Sequence, residues 1–581
     1  MKNLLSLLCL SIFALSSYHA QTNVTFSNPV IADILAGDYN PEDYNPSPVI
    51  TQPDVVTEAL FQGTQSPNLH GYLLEMSAFN TRNTGSDPLI TGNGIGAARE
   101  WALNRFESFN DPVTGRLVVS FLNFDGDICG VNQHRNMLAV LPGVGDQKDE
   151  IVIVEAHFDS RCQSSCDIDC TAMGMEDNAS GSALVLELAR VMNSMTFNRT
   201  IVFMLTVGEE QGLVGAEALA DYCSDNDINV HAVFNNDIVG GVLCGETASP
   251  PGCPSFNNID SINVRLYSQG TFNAPSKSLA RFTKLEYHEN LRDQMTVQPI
   301  INIMSAEDRT GRGGDHIPFR RNGYSAIRFT SANEHGDAGI HANYTDRQHT
   351  NDDILGVDTD GDMVIDSFFV DFNYLRRNAI LNGNAATMAA MGPNTPIFES
   401  LEPAPEGLTI TIDDPKDYNH YRIGIRTTTN DFDSVYTTTD KVTTITGLDM
   451  TTQWHFVTVA AVDENGVESL FSEELGNFPA SYTEDLVLDN KLELLQNQPN
   501  PFDDRTSISV WVNGFLDYDE ARIEVIKPFG TILYTSPITL NDGMNDIWYE
   551  HSKHHHSSGL LYYRLVIDGR TVSTKSMVYA Y

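Results

Sequence analysis

The sequence predicts an α/β protein, a mostly parallel mixed sheet sandwiched by helices and followed by two small all-β sandwich domains. Short runs rich in Val, Ile and Phe (IVIVEAHFDS, TIVFMLTVGEE and HAVFNNDIVGG, within residues 151–241) alternate with helical segments such as MEDNASGSALVLELARVM. That is the pattern of βαβ units whose strands are buried on both faces. Each run ends abruptly in side chains that bind metals: His157 and Asp159, Glu209 and Glu210, then Asp237, with Asp177 just before the first intervening helix. Ligands of open sheets bind beyond the carboxyl ends of the strands, which is where these residues fall. Past residue 392 the periodicity changes to the strand alternation of an all-β sandwich.

At 581 residues the chain holds several domains, and 35 Lys+Arg against 77 Asp+Glu give a net charge of -42. Such a surface argues against nucleic-acid or anionic-membrane partners. Residues 1–20 join a basic start, the apolar run LLSLLCLSIFAL and a small-residue exit at Ala20, the form of a secretory signal. No later stretch approaches the roughly 20 apolar residues of a membrane span. Without the signal, Cys129, Cys162, Cys166, Cys170, Cys223, Cys244 and Cys253 remain. Export favours disulfides, the odd total leaves a thiol over, and the pairing is open.

Residues 21–60, rich in Pro, Asp and Asn without sustained periodicity, read as a linker or short pro-segment, and residues 61–392 as the α/β domain. Within it GIGAAREWALNRFESF carries a helical stripe of Ala98, Trp101, Ala102, Arg105 and Phe109. LVVSFLNF and RNMLAVLPG are strands preceding the core, and INVRLYSQG and YSAIRFT are further strands. A polar loop then offers His335, His341 and His349, and FFVDFNYLRRNAILNGNAATMAAM closes the domain as a helix. DTDGDMVID, with Asp358, Asp360, Asp362 and Asp366, has the look of a calcium loop. Its Gly361 is misplaced for an EF-hand and no bidentate Glu follows, so an acidic turn competes with calcium.

His157 and Asp159 stand two apart at a strand end, so both project to one side, one to ligate a metal and the other to orient the imidazole. Asp177 alone would suit a helix cap, but its position between the other candidates favours a ligand. Glu209 and Glu210 diverge at a strand exit, so one can ligate while the other reaches an attacking water.

Together HFDS, MEDNASG, VGEEQGLVGA, NND and QHTNDD resemble the di-zinc exopeptidase family that includes bacterial leucyl aminopeptidases and glutamate carboxypeptidase, over roughly residues 60–390. The resemblance implies the zinc exopeptidase fold and two zinc ions bridged by Asp177. His157 and Asp237 complete one site, and Glu210 and His349 the other. Glu209 is then the general base, Asp159 counts with it among the catalytic residues as the group that orients His157, and peptides are hydrolysed by a water activated between the zincs. It implies an aminopeptidase, with a carboxypeptidase as the neighbouring reading. His349 is preferred to His335 and His341 because it alone lies in an HTxxD string, whose Asp353 is expected to support it. Glutaminyl cyclases, which use one zinc, resemble the chain at GGDHIPFRRNG and HTNDD. A non-catalytic adhesion protein is a further alternative.

Residues 393–480 resemble a fibronectin type III domain, with Trp454 where that family has Tyr. Residues 487–581 are similar to the C-terminal sorting domain of type IX secretion substrates, through Pro499, Asn500, Pro501, Phe502, Thr506, Gly559, Tyr562, Arg564 and Lys575. That likeness implies export from a Gram-negative bacterium by the type IX machinery. His554, His555 and His556 read as a surface turn.

Overall fold

The computed structural model describes residues 23–89, 92–245, 250–270, 273–309, 312–333, 347–404, 407–450, 453–477 and 492–579, less 503, 513–515, 517, 519, 528–530 and 552–558. The expected signal segment, His335, His341 and the histidines at 554–556 lie outside the described residues. By contacts the chain divides into two units. The first comprises the residues up to Leu266, Asn290–Asn302 and Asp308–Met391; the second comprises Tyr267–Glu289, Ile303–Glu307 and the residues from Gly392 onward.

The first unit is built on a nine-stranded sheet. Its strands are β1 (Thr25–Phe26), β2 (Val118–Ile128), β3 (Val131–Leu141), β4 (Glu150–His157), β5 (Thr200–Thr206), β6 (Asn229–Asn236), β7 (Asn263–Tyr267), β8 (Ile300–Ile303) and β9 (Ala326–Ser331). Their order is β1-β2-β3-β5-β4-β6-β9-β7-β8. The centre, β5-β4-β6-β9, is parallel. The flank β1-β2-β3 is antiparallel, and β3 joins β5 antiparallel, so the parallel character belongs to the middle of the sheet. Ile151, Val152, Ile153 and Val154 of β4 and Ile201 through Leu205 of β5 are fully buried. That two-sided burial explains why these strands read as continuous apolar runs rather than as alternation.

Helix Ala179–Met192 links β4 to β5 and packs on both strands and on helix Phe372–Met391. Helix Val214–Asp225 links β5 to β6 and packs with His316–Arg321. Since β5 and β6 lie on opposite sides of β4, the connections reverse direction there. The carboxyl ends of β4 and β6 form a topological switch point, the usual place for a ligand crevice.

Two expectations need correction. The stretch 21–60 is not a linker: Thr25–Phe26 extends the sheet, Val30–Leu35 is a helix burying Ile31, Ile34 and Leu35, and Pro53–Gly63 is another. The first two, of two and six residues, are too short to show a period, which hid them. Helix Gly94–Ser108 buries Ile95, Ala98, Ala102 and Phe106, so its apolar stripe is rotated from the one expected and Phe109 is only half-buried.

In the second unit, sheets of three and four strands share a core containing Leu408, Ile410, Tyr421, Ile423 and Val457. A second pair of three- and four-stranded sheets packs around Phe502, Ile508, Tyr549, Tyr563 and Tyr579. Helix Pro275–Glu286, which the sequence reading passed over, groups with this unit. Arg281 of that helix reaches Glu474 at 2.7 Å, and Glu474 also accepts from Arg426 Nε at 2.6 Å and Nη2 at 2.8 Å. Trp454 packs edge-on to Phe456 and Tyr562.

The cysteines pair Cys129–Cys166, Cys162–Cys170 and Cys244–Cys253, and the thiol left over is the buried Cys223. Among the described residues no helix is long and apolar enough to cross a membrane.

Candidate metal centre

The switch point gathers every described residue expected in the site. Glu155 of β4 lies beside Asn235 of β6, so His157 and Asp237, two residues on, face each other across the strand ends. Asp177 arrives from the loop before helix Ala179–Met192. The cap of that helix is Asn178, not Asp177: its Oδ1 accepts from Gly181 N at 2.9 Å, leaving the Asp177 carboxylate for the site. Gly181 is needed because a Cβ there would stand 2.2 Å from the carbonyl oxygen of Asn236. Past β5 the chain turns at Gly208, with φ +79°, and delivers Glu209 and Glu210. His349 itself adopts φ +59°, a left-handed conformation that costs a non-glycine residue roughly 1–2 kcal/mol and is tolerated mainly at functional sites.

Two groups of three ligands share one carboxylate. His157 Nε2 lies 3.1 Å from Asp177 Oδ1 and 3.2 Å from Asp237 Oδ1. His349 Nε2 lies 3.0 Å from Asp177 Oδ2 and 3.2 Å from Glu210 Oε2. Asp177 therefore offers one oxygen to each group. Donors held tetrahedrally at about 2.0–2.1 Å from zinc lie about 3.3 Å apart, close to these separations. Asp177 Oδ2 and Glu210 Oε1 are buried yet receive no hydrogen bond, although the His349 ring stands against Asp177. Such an approach suits two ligands facing one cation better than a donor facing an acceptor.

The electrostatics agree. Burial works against a charge on His157, yet Asp237, Glu209, Asp159 and Asp177 raise its pKa well above the usual imidazole value. His349 is raised in the same way, burial opposing and Glu210 and Asp177 prevailing. Surroundings that hold a proton so firmly attract a divalent cation in its place. Glu209 belongs to neither ligand group; burial first, then Glu210, Asp237 and Asp315, push its carboxyl well up against the pull of His157.

The supporting contacts differ in part from the expected ones. Asp159 faces the His157 ring with both backbone and side chain, its carbonyl oxygen 3.1 Å and its Oδ1 3.7 Å from Nδ1. Its Oδ1 and Oδ2 also accept the backbone N–H groups of Glu209 and Glu210, each at 3.3 Å, so Asp159 aims the two glutamates as well. Asp353 does not support His349. Its carboxylate accepts from Glu176 N at 2.8 Å and Asp177 N at 3.0 Å, fixing the bridging residue through its backbone, and burial lifts its pKa to about 7.

Sequence reasoning missed four arginines. Arg328, fully buried, donates to Asp237 Oδ2 at 2.9 Å and to both oxygens of Asp308 at 2.9 Å. Arg161 Nε meets Glu210 Oε2 at 2.5 Å, and its Nη2 lies 2.7 Å from His349 Nδ1. Arg309 and Arg312 line the cleft above the site, about 270 Å³ in volume, together with Arg161, Gln348 and Leu213. Only Arg161, directly after HFDS, carried a positional hint.

Asp358, Asp360 and Asp362 also bring oxygens together, on the exposed surface. Asp358 there accepts backbone N–H groups of Asp360, Gly361 and Met363, the bonds of an acidic turn.

Two three-ligand groups that share one aspartate, with a carboxylic acid beside them, form an arrangement able to hold two metal ions. Residues 136–361 match the model of peptidase family M28. A probable zinc metalloprotease of Phaeosphaeria nodorum is 32% identical over 372 residues, covering 59% of this chain and 71% of the relative. A second, from Pyrenophora tritici-repentis, is 32% identical over 359 residues, covering 59% and 78%. The chain belongs to peptidase family M28 and is a zinc-dependent metallopeptidase. The aminopeptidase LapA of Legionella pneumophila is a more distant likeness, with 20% identity, a TM-score of 0.40, and cover of 58% of this chain and 75% of that one.

Proposed function

We propose that the protein is a secreted exopeptidase that uses two zinc ions to remove N-terminal residues from peptides. The observation that carries the two-ion reading is the sharing of Asp177, one oxygen toward each ligand group. Zinc held by these groups supplies a Lewis acid that polarises the peptide carbonyl and lowers the pKa of water. Glu209 takes the proton from the attacking water and hands it to the leaving nitrogen, a role its absence from both ligand groups leaves it free to perform. Asp159 keeps Glu209 and Glu210 in register through their backbone amides. A cleft of about 270 Å³ suits one or two residues of a chain end, which supports exopeptidase action over cleavage within a folded chain. The proposal includes no calcium at Asp358, whose oxygens are already engaged by the turn.

Three disulfides and the signal-like start support export, and the Pro499–Phe502 pattern supports the type IX route, with residues 393–480 as a fibronectin-like spacer. Chelation should abolish hydrolysis of a peptide panel with free and blocked termini, read by mass spectrometry, and zinc should restore it. Activity in protein shown by elemental analysis to be metal-free would end the zinc reading; cleavage confined to N-blocked peptides would end the aminopeptidase reading. Removal of residues 487–581 should trap the peptidase in the periplasm. Normal release of the truncated chain would refute the export route.

A further inference from the structure

Arginine meets the two ligand groups in opposite ways. Arg328 donates to Asp237 Oδ2 at 2.9 Å and leaves Oδ1, 3.2 Å from His157 Nε2, to face the first group. Arg161 Nε instead meets Glu210 Oε2 at 2.5 Å, and Oε2 is the oxygen that lies 3.2 Å from His349 Nε2. The other oxygen, Oε1, is buried and accepts no hydrogen bond. Arg161 Nη2 also stands 2.7 Å from His349 Nδ1 and 3.4 Å from Nε2. One guanidinium therefore touches both residues that, with Asp177, make up the second group.

The loop that carries Arg161 is fastened where it stands. Cys162, the next residue, is bonded to Cys170, and Cys166 to Cys129. The Ser165 carbonyl accepts from Asn83 Nδ2 and from Gln211 Nε2, each at 2.9 Å, and Gln211 directly follows Glu210. The fold thus keeps the guanidinium beside Glu210 through bonds other than their own contact. Glu210 does not rely on Arg161 for the placement of its backbone, because Asp159 Oδ2 accepts its N–H at 3.3 Å.

Arg161 acts on a cation at this group in two opposed ways. Holding the carboxylate still would favour binding; its own positive charge and its claim on Oε2 work against it. Because Oε1 is left out of the contact, the carboxylate is not gripped at both ends, and the opposing effect is the larger. An arginine beside a carboxylate lowers the carboxylate's affinity for a proton by about 10- to 1000-fold, and a divalent ion that needs the same oxygen is opposed in the same sense. We propose, resting on the two-zinc reading above, that Arg161 is a built-in competitor for the second metal ion. It makes the Asp177–Glu210–His349 group the weaker and more readily exchanged site, so ambient zinc sets the fraction of molecules that carry both ions. Arg161 is a positioning residue in this role, acting through the ligands rather than on the substrate.

The test titrates the metal-free full chain with zinc against a chromophoric chelator. Binding should resolve into two steps, the second about 10- to 100-fold weaker. His349→Ala should abolish the second step and spare the first, which assigns it to the group that Arg161 touches. Arg161→Gln, which removes the charge, should tighten the second step about tenfold or more and leave the first unchanged. Arg161→Lys, which keeps the charge, should preserve the gap. Cobalt gives an independent readout: the absorption bands of the second equivalent should appear at lower free cobalt in Arg161→Gln than in the unaltered protein. A second step unchanged or weakened in Arg161→Gln, equal tightening in Arg161→Lys, or loss of the tighter step in His349→Ala overturns the proposal while leaving two zincs in place. A single step in the unaltered protein and in both Arg161 variants ends the two-zinc reading itself.

Discussion

Replacing Arg328 by Met should strip one metal site of its support while sparing the other. Arg328 is fully buried and holds Asp237 Oδ2 at 2.9 Å with one nitrogen and chelates Asp308 with another. This leaves Asp237 Oδ1, the oxygen facing His157 Nε2, as the one presented to a metal. Breaking a buried ion pair by removing one partner costs roughly 3–5 kcal/mol, because the remaining charge is stranded. Here the lower part of that range is expected, since Arg309 still faces Asp308 at 3.2 Å. Loss of a group that orients a metal ligand costs about 10–100-fold in affinity. Competition with a chromophoric chelator should show one zinc bound as in the unaltered protein and one bound about 10–100-fold more weakly. Two zincs retained at full affinity, or both weakened equally, would refute the assignment of Arg328 to the Asp237 site alone.

Asp353→Asn should weaken both metal sites together, because Asp353 positions Asp177, which both groups share; an amide can accept from only one of the two N–H groups and turns a donor toward the other. A melting loss reflecting about 1.5–3 kcal/mol for a charged hydrogen bond should accompany the loss of zinc, and selective loss of one ion would contradict the bridging role. In the second unit, burial opposes the Glu474 charge, but hydrogen bonds from Arg426 and the charge of Arg281 hold its pKa below the usual value. A carboxylate depressed in the folded state contributes stability that is full above its unfolded pKa, about 4.3, and is lost as pH falls through the folded value. Glu474→Gln should therefore lower stability near neutral pH and flatten its decline below about pH 4.3, as read from melting curves across that range.

The parts of this protein that were legible in its sequence are those governed by local pattern. The central strands announce themselves because two-sided burial demands uninterrupted apolar runs, and the ligands stand out because polar metal-binding residues directly follow them. His157 and Asp237 become opposed simply because parallel neighbours end at matching heights. What was hidden depends on contacts between distant segments. Arg328 lies inside a strand and looks like an exposed charge until Asp308 and Asp237 are seen around it. Asp353 sits four residues after His349 and suggests a local partnership, yet it bonds to amides 176 and 177 residues earlier in the chain. The edge pairing of Thr25–Phe26 with Asn123 and Leu122 likewise joins segments about a hundred residues apart, and nothing within a window of ordinary length reports it. Cysteine pairing had no pattern to read, since Cys166 joins Cys129 while Cys162 and Cys170 close around it.

The central claim is the division of labour between adjacent glutamates, Glu210 as ligand and Glu209 as base. Glu209→Gln changes no member of either ligand group, whereas Glu210→Gln replaces an anionic ligand of the Asp177–His349 group by a neutral amide. Zinc content and single-turnover peptide hydrolysis measured side by side on the two variants test this most directly. The 209 variant should keep both zincs and lose about 10²- to 10⁴-fold in rate, the usual worth of general acid–base catalysis. The 210 variant should lose one zinc and recover part of its activity in excess zinc. Metal loss in the 209 variant with metal retained in the 210 variant would mean that base and ligand are exchanged, and full activity in both would place the chemistry outside this centre.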